Sequence, residues 1–269
     1  MSLFCVQGLS VTLQGKHILT GIDLTLETGK ITSVIGPNGS GKSTLLKVFS
    51  KVLSPSNGTV QFNGRNLAGV SSREMARRMA VLFQSSRAPG DVTVRELVEY
   101  GRFPHQRWWK GVTDEDRGIV DWALSQTSLE SLADRTVTTL SGGEQQRAWI
   151  AMALAQQPET LILDEPTTYL DIAHQLEILQ LVRRLNRDNG ISVIMVLHDL
   201  NHAAKYSDYL VVLRQGRLVA AGTPLEVVTE GMLRDVFAVE ADFWQDRDNI
   251  PVFVAHGLAE KGIAGEGND

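Results

Sequence analysis

The sequence predicts an α/β fold with two lobes, and three observations carry that prediction. A compact β-branched run, Ile31-Thr32-Ser33-Val34-Ile35, ends in the glycine-rich string Gly36-Pro37-Asn38-Gly39-Ser40-Gly41 and opens into a helix-like pattern. From residue 160 onward strand-like and helical runs alternate again, which implies parallel strands joined by right-handed crossovers. Between these sections, residues 71–155 read as helix-rich and form a separate lobe. The 269 residues allow one large domain or two small ones, at about 150 residues each.

The first seventy or so residues read as strands and turns. Val11, Leu13, Ile18, Leu24 and Leu26 lie in short apolar runs, with turn signals at Gln14-Gly15 and Thr28-Gly29. After the buried strand at 31–35, Leu45, Leu46, Val48 and Phe49 supply the apolar side of a helix. Residues 59–64 alternate and end on a turn, as a strand with one exposed face does. Helices are expected over 73–79, 95–100, 113–125 and 143–155, with a short strand at 80–83. Strands at 160–163 and 192–197 enclose a helix at 171–187. Residues 210–214 and 217–220 flank Gln215-Gly216, a hairpin signal. The glycine-rich, acidic stretch 262–269 reads as a frayed tail.

Composition excludes several classes. Apolar residues make up 43% and charged residues 21%, so a sizeable core is available and global disorder is excluded. The longest strictly apolar run, 148–155, falls short of the ~20 residues a membrane helix needs. The N-terminal residues lack the basic and apolar regions of a secretory signal. A single cysteine, Cys5, excludes an internal disulfide framework and a cysteine-rich metal site, and fits a reducing cytosol. The net charge of −5 argues against a general nucleic-acid binder.

Three strings carry chemistry. Gly36-Pro37-Asn38-Gly39-Ser40-Gly41-Lys42-Ser43 matches G-x-x-x-x-G-K-[ST]. Glycines let backbone N–H groups curl around phosphates, and the following helix presents its positive end to the same anion. Lys42 is expected to reach the β- and γ-phosphates, and Ser43 to ligate Mg²⁺. Residues 36–43 with Thr44 therefore form the expected nucleotide site, which the resemblance given below makes an ATP site. Leu161-Ile162-Leu163-Asp164-Glu165 is an apolar strand ending in two acids. Asp164 is suited to hold the Mg²⁺, while Glu165, one residue on, points elsewhere, toward a water that attacks the γ-phosphate. Leu140-Ser141-Gly142-Gly143-Glu144-Gln145 is a second glycine-rich helix start, with Ser141 in the N-cap position. By itself it is either an anion site or an ordinary capped helix.

The phosphate loop, the string at 140–145 and the acid pair occur in the order found in ATP-binding cassette (ABC) ATPases, and residues 3–237 resemble that family. The resemblance implies a P-loop NTPase fold: a RecA-like core with a mixed β-sheet, an inserted α-helical subdomain at about 86–157, and an N-terminal antiparallel β subdomain. It implies a cassette at 1–240 and a C-terminal extension at 241–269 ending in a flexible tail. Gln84 matches the glutamine that senses Mg²⁺ and contacts the transporter. Asp171 lies in the loop that crosses the dimer interface, and His198 matches the switch histidine at the γ-phosphate. The family is built as a head-to-tail dimer, in which Ser141, Gly142, Gly143 and Gln145 of one copy close on the ATP held by the other. The family also stacks an aromatic residue on adenine; that position here is Leu13, with His17 as a neighbouring substitute.

One phosphate loop and no membrane span imply two copies working on two separate permease subunits, at the cytoplasmic face of the cell membrane. An extracytoplasmic substrate-binding protein would act through the permease, and no nucleic acid is expected. Residues 102–110, with Phe103, Trp108, Trp109 and several basic side chains, suit a protein contact, or else a surface loop with tucked-in tryptophans. Ser72-Arg73-Glu74-Met75-Ala76-Arg77-Arg78 and the strings at 92–102, 166–175 and 197–201 resemble ATPases of bacterial ferric-siderophore importers, including the ferric-citrate type. Haem and cobalamin importer ATPases belong to the same broad group. A soluble ABC ATPase acting on DNA or ribosomes is the contrasting class; its relatives carry coiled-coil insertions or two cassettes per chain, neither of which is visible here.

Overall fold

The computed structural model describes residues 1–84, 90–106 and 113–259. The N-terminal segment pairs β1 (Ser2–Leu13) with β2 (Lys16–Glu27) and with β4 (Asn57–Phe62), all antiparallel, and β4 with the short β5 (Arg65–Asn66). The short apolar runs of the sequence are thus two long strands, each broken in register by bulges rather than by turns.

A six-stranded mixed sheet follows, in the order β10-β9-β3-β8-β7-β6. Its strands are β3 (Ile31–Ile35), β6 (Met79–Leu82), β7 (Thr160–Asp164), β8 (Ser192–Val196), β9 (Tyr209–Arg214) and β10 (Arg217–Gly222). Five run parallel, and β10 returns antiparallel through the Gln215-Gly216 hairpin. Both faces are covered, which explains the unbroken apolar runs. Leu161, Leu163, Val193 and Met195 enter one core, whereas Ile162, Ile194 and Val196 enter the other. The second core holds α1 (Lys42–Phe49) and the N-terminal sheet, with Phe4 stacked on Phe49 at 4.3 Å.

The first core joins the helical lobe to the sheet. That lobe contains α3 (Val94–Tyr100), α4 (Asp114–Gln126) and α5 (Gly142–Ala155). Each starts on a reciprocal cap: Thr93 with Glu96, Thr113 with Asp116, and Ser141 with Glu144. Ahead of it, α2 (Ser72–Arg78) passes directly into β6, so Met79 is a strand residue rather than the last helical one. On the sheet side lie α6 (Ile172–Asn189) and α7 (Leu200–Tyr206).

Two expectations change. Residues 239–258 form a hairpin, β11 (Val239–Gln245) with β12 (Pro251–Leu258), and the division expected at 240 falls inside β11. The sequence signal is weak because this hairpin leaves nearly all of its strand residues partly or fully exposed. Arg102, expected on a contact surface, is instead buried: its Nε donates to Asp116 Oδ1 at 2.8 Å and its Nη1 to the Ala155 carbonyl at 2.7 Å. Its neighbour Phe103 is exposed. Trp108, Trp109, the expected lobe start at 86 and the tail at 262–269 lie outside the described residues.

Candidate nucleotide site

Four neighbouring parallel strands deliver the site. β3 leads into the loop at 36–41, β8 into His198, β7 into Asp164 and Glu165, and β6 into Gln84. Their carboxyl ends share one edge, where open α/β sheets bind ligands.

The loop is shaped for close backbone approach. A Cβ on Gly36 would lie 2.0 Å from the Leu213 carbonyl oxygen, and its φ is 145°; only glycine fits there. Lys42 folds back and donates from Nζ to the carbonyls of Gly36, at 2.8 Å, and Pro37, at 3.0 Å. Burial pushes its ammonium below the ordinary lysine pKa, while Glu165 and Asp164 pull it back up. The Ser40 hydroxyl is buried without a hydrogen-bond partner. A cleft of about 290 Å³ is lined by Ile18, residues 38–44 and Glu165. An orphaned buried hydroxyl and a recruitable lysine beside such a cleft fit a polyphosphate.

Ser43 Oγ donates to Asp164 Oδ1 at 3.0 Å, across the gap between β3 and β7. Burial raises the Asp164 carboxyl above the ordinary aspartate range, against the Ser43 hydrogen bond, which lowers it. Among the described residues no cluster of three or more His, Cys, Asp or Glu could hold a metal alone. Ser43 and Asp164 are hard oxygen donors that leave most of a shell to phosphate and water, which fits Mg²⁺.

Glu165 is held by both its backbone and its side chain. Its φ is 56°, a left-handed conformation costing a non-glycine residue on the order of 1–3 kcal/mol. Gln84 Nε2 donates to its Oε2 at 2.6 Å, the Thr168 hydroxyl to the same oxygen at 3.1 Å, and His198 Nε2 lies 2.7 Å from Oε1. Gln84 and His198, expected separately at the metal and at the γ-phosphate, both close on this carboxylate. Thr168 was missed by sequence reasoning, since a threonine in a turn carries no distinctive signal. Leu13 ends β1 opposite Lys16, about two-fifths exposed, and His17 Nδ1 lies 3.1 Å from Thr12 Oγ1. Ile18 is the residue of this hairpin that lines the cleft.

The string at 140–145 lies elsewhere. Ser141 caps α5, Ser141 and Gly142 are exposed, and none of Ser141, Gly142, Gly143 or Gln145 lines the cleft. Gln145 Nε2 donates to the Leu140 carbonyl at 3.0 Å. Asp171 caps α6 beside Tyr169 and Ile172, which are 94% and 74% exposed.

Comparison with known proteins gives the family. The family model described as ABC transporter matches residues 19–168. The iron(3+)-hydroxamate import ATP-binding protein of Bacillus subtilis (strain 168) is 47% identical over 259 residues, covering 96% of both chains. The ferric enterobactin transport ATP-binding protein of Escherichia coli (strain K12) is 44% identical over 236 residues, covering 87% of both. Among solved structures, cbiO1 from Clostridium perfringens, part of the ABC transporter complex cbiONQ, superposes with a TM-score of 0.78. It is 32% identical and covers 86% of this chain and 92% of that one. The matched region holds the phosphate loop and the acid pair together, and this chain belongs to the ABC transporter family as an ATP-binding cassette.

Proposed function

We propose that this protein is the ATP-hydrolysing, energy-coupling subunit of a bacterial importer for iron(III)–siderophore chelates. The observation that carries the hydrolytic half is Glu165, held by Gln84, Thr168 and His198 beside the Ser43–Asp164 pair. The transport half is supported by relatives named as iron-chelate import or transport ATP-binding proteins across most of the chain.

Lys42 exchanges its two loop carbonyls for the β- and γ-phosphates, and the N–H groups of residues 38–44 cradle them. Ser43 and Asp164 would hold Mg²⁺, which would neutralise phosphate charge. Glu165 takes a proton from water as the water oxygen bonds to the γ-phosphorus and the bond to the bridging oxygen of ADP breaks. The products are ADP and inorganic phosphate. His198 and Gln84 orient that carboxylate from two strand ends.

The site is incomplete in one copy. Ser141 and Gly142 are exposed and line no part of the cleft, and Tyr169 and Ile172 expose apolar surface around Asp171. A head-to-tail pair of chains brings these segments onto the partner's nucleotide, so ATP joins two half-sites. Among the described residues no helix is long and apolar enough to cross a membrane, and the pair works through two permease subunits at the cytoplasmic face. A substrate-binding protein delivers the chelate from the other side.

The test is coupling. ATP turnover should rise when the chain is reconstituted with its permease and a loaded binding protein. Equal turnover with and without them would overturn the transport reading.

A further inference from the structure

We propose that His174 is a positioning residue that locks the start of α5 at 141–143 to the Asp171 loop, so both segments meet a second copy as one body. The inference rests on the head-to-tail reading above.

The N-termini of α5 and α6 lie side by side, and His174 fills the space between them. A Cβ on Gly143 would lie 2.2 Å from His174 Cδ2 and 2.8 Å from Cγ, so the imidazole rests on the Gly143 backbone. The same ring turns its Nδ1 to Asp171 Oδ1 at 2.7 Å. That oxygen also accepts the His174 backbone N–H at 2.9 Å. These two bonds, the backbone one first, hold the Asp171 carboxyl below its ordinary range. One turn further along the same helix faces, Arg147 Nη1 bonds Glu177 Oε2 at 2.7 Å.

The placement matters because α5 belongs to the helical lobe, whereas α6 begins just after β7 of the central sheet. A small rotation between lobes would separate Ser141 from Asp171 unless something rigid spans them. The ring does so by packing at one end and hydrogen bonding at the other, and Gly143 is the position where a larger residue would displace it. A loosened α5 start would still leave each phosphate loop able to bind nucleotide. It would fail to present both trans contacts in register, and positional errors of this kind lower turnover more than affinity.

The experiment compares the wild-type full chain with His174→Ala and His174→Asn. For His174→Ala, kcat should fall about tenfold, with nucleotide affinity within about twofold of wild type. Amide exchange at residues 141–145 of the ATP-free chain should quicken, with residues 36–44 unchanged. His174→Asn retains an amide able to bond Asp171 but removes the ring from Gly143, so exchange at 141–145 should stay fast and kcat should stay low, as in His174→Ala. If His174→Ala does not fold, His174→Asn carries the same readouts against wild type. Unchanged exchange at 141–145, or a kcat within about twofold of wild type, would overturn the proposal. Failure of the wild-type chain to bind ATP would instead sink the functional reading, and the exchange measurement in the ATP-free chain would still decide the coupling.

Discussion

Glu165 draws its side-chain partners from three separate segments: Gln84 after β6, Thr168 in the next turn and His198 after β8. An amide in its place would present an N–H₂ toward a donor and would have no carboxylate to take a proton. Glu165→Gln should therefore cut ATP turnover by about 10²–10⁴-fold while nucleotide binding persists. An ATP-bound dimer should then accumulate, measurable by sedimentation; unchanged turnover would remove Glu165 as the base. Asp164 and Glu165 were legible because an apolar strand ending in two acids is rare. Their partners were less so, since hydrogen bonds between distant segments leave no local pattern.

Helix starts are where local sequence and structure agree most closely. Thr93, Thr113 and Ser141 each precede by three residues the acid that completes the cap. Asp116 does more than cap α4. It pairs with Arg102 inside the helical lobe, where the two side chains are only 8% and 5% exposed. Burial alone would raise its carboxyl, but the bonds from Arg102 and Thr113 hold it below the ordinary aspartate range. A carboxylate held lower in the folded chain stabilises above the unfolded-chain pKa and loses that stability as pH falls through the folded value. Asp116→Asn should thus cost about 3 kcal/mol near neutral pH by leaving Arg102 buried and unpaired. In urea melts the gap from wild type should narrow from about pH 4 downward. A constant gap across pH would show that the charge of Asp116 is not what stabilises the lobe. The pairing was not legible beforehand, because arginine among aromatic residues reads as surface.

At the scale of the molecule, the C-terminal hairpin is tied to the helix that follows His198. Asn201 on α7 donates from Nδ2 to the Phe253 carbonyl at 3.1 Å and accepts the Phe253 N–H at 3.1 Å, while Lys205 pairs with Asp246 at 2.9 Å. Phe243 and Phe253 sit 5.7 Å apart and pack on the main core. Asn201→Ala should lose both amide bonds and about 1–2 kcal/mol. Amide exchange should then rise along β11 and β12 before it rises in the central sheet; equal rises in both would place the hairpin inside the global folding unit.

By itself the sequence determined the strand-and-helix alternation, the phosphate loop, the acid pair and the Ser141 cap. Each of these is a matter of short spacing, periodicity or local hydrogen bonding. Only the tertiary structure decided that Glu165 gathers Gln84, Thr168 and His198, that Arg102 is buried, that residues 239–258 form a docked hairpin, and that His174 joins two helix starts. These depend on strand order and helix packing, which bring together residues far apart along the chain.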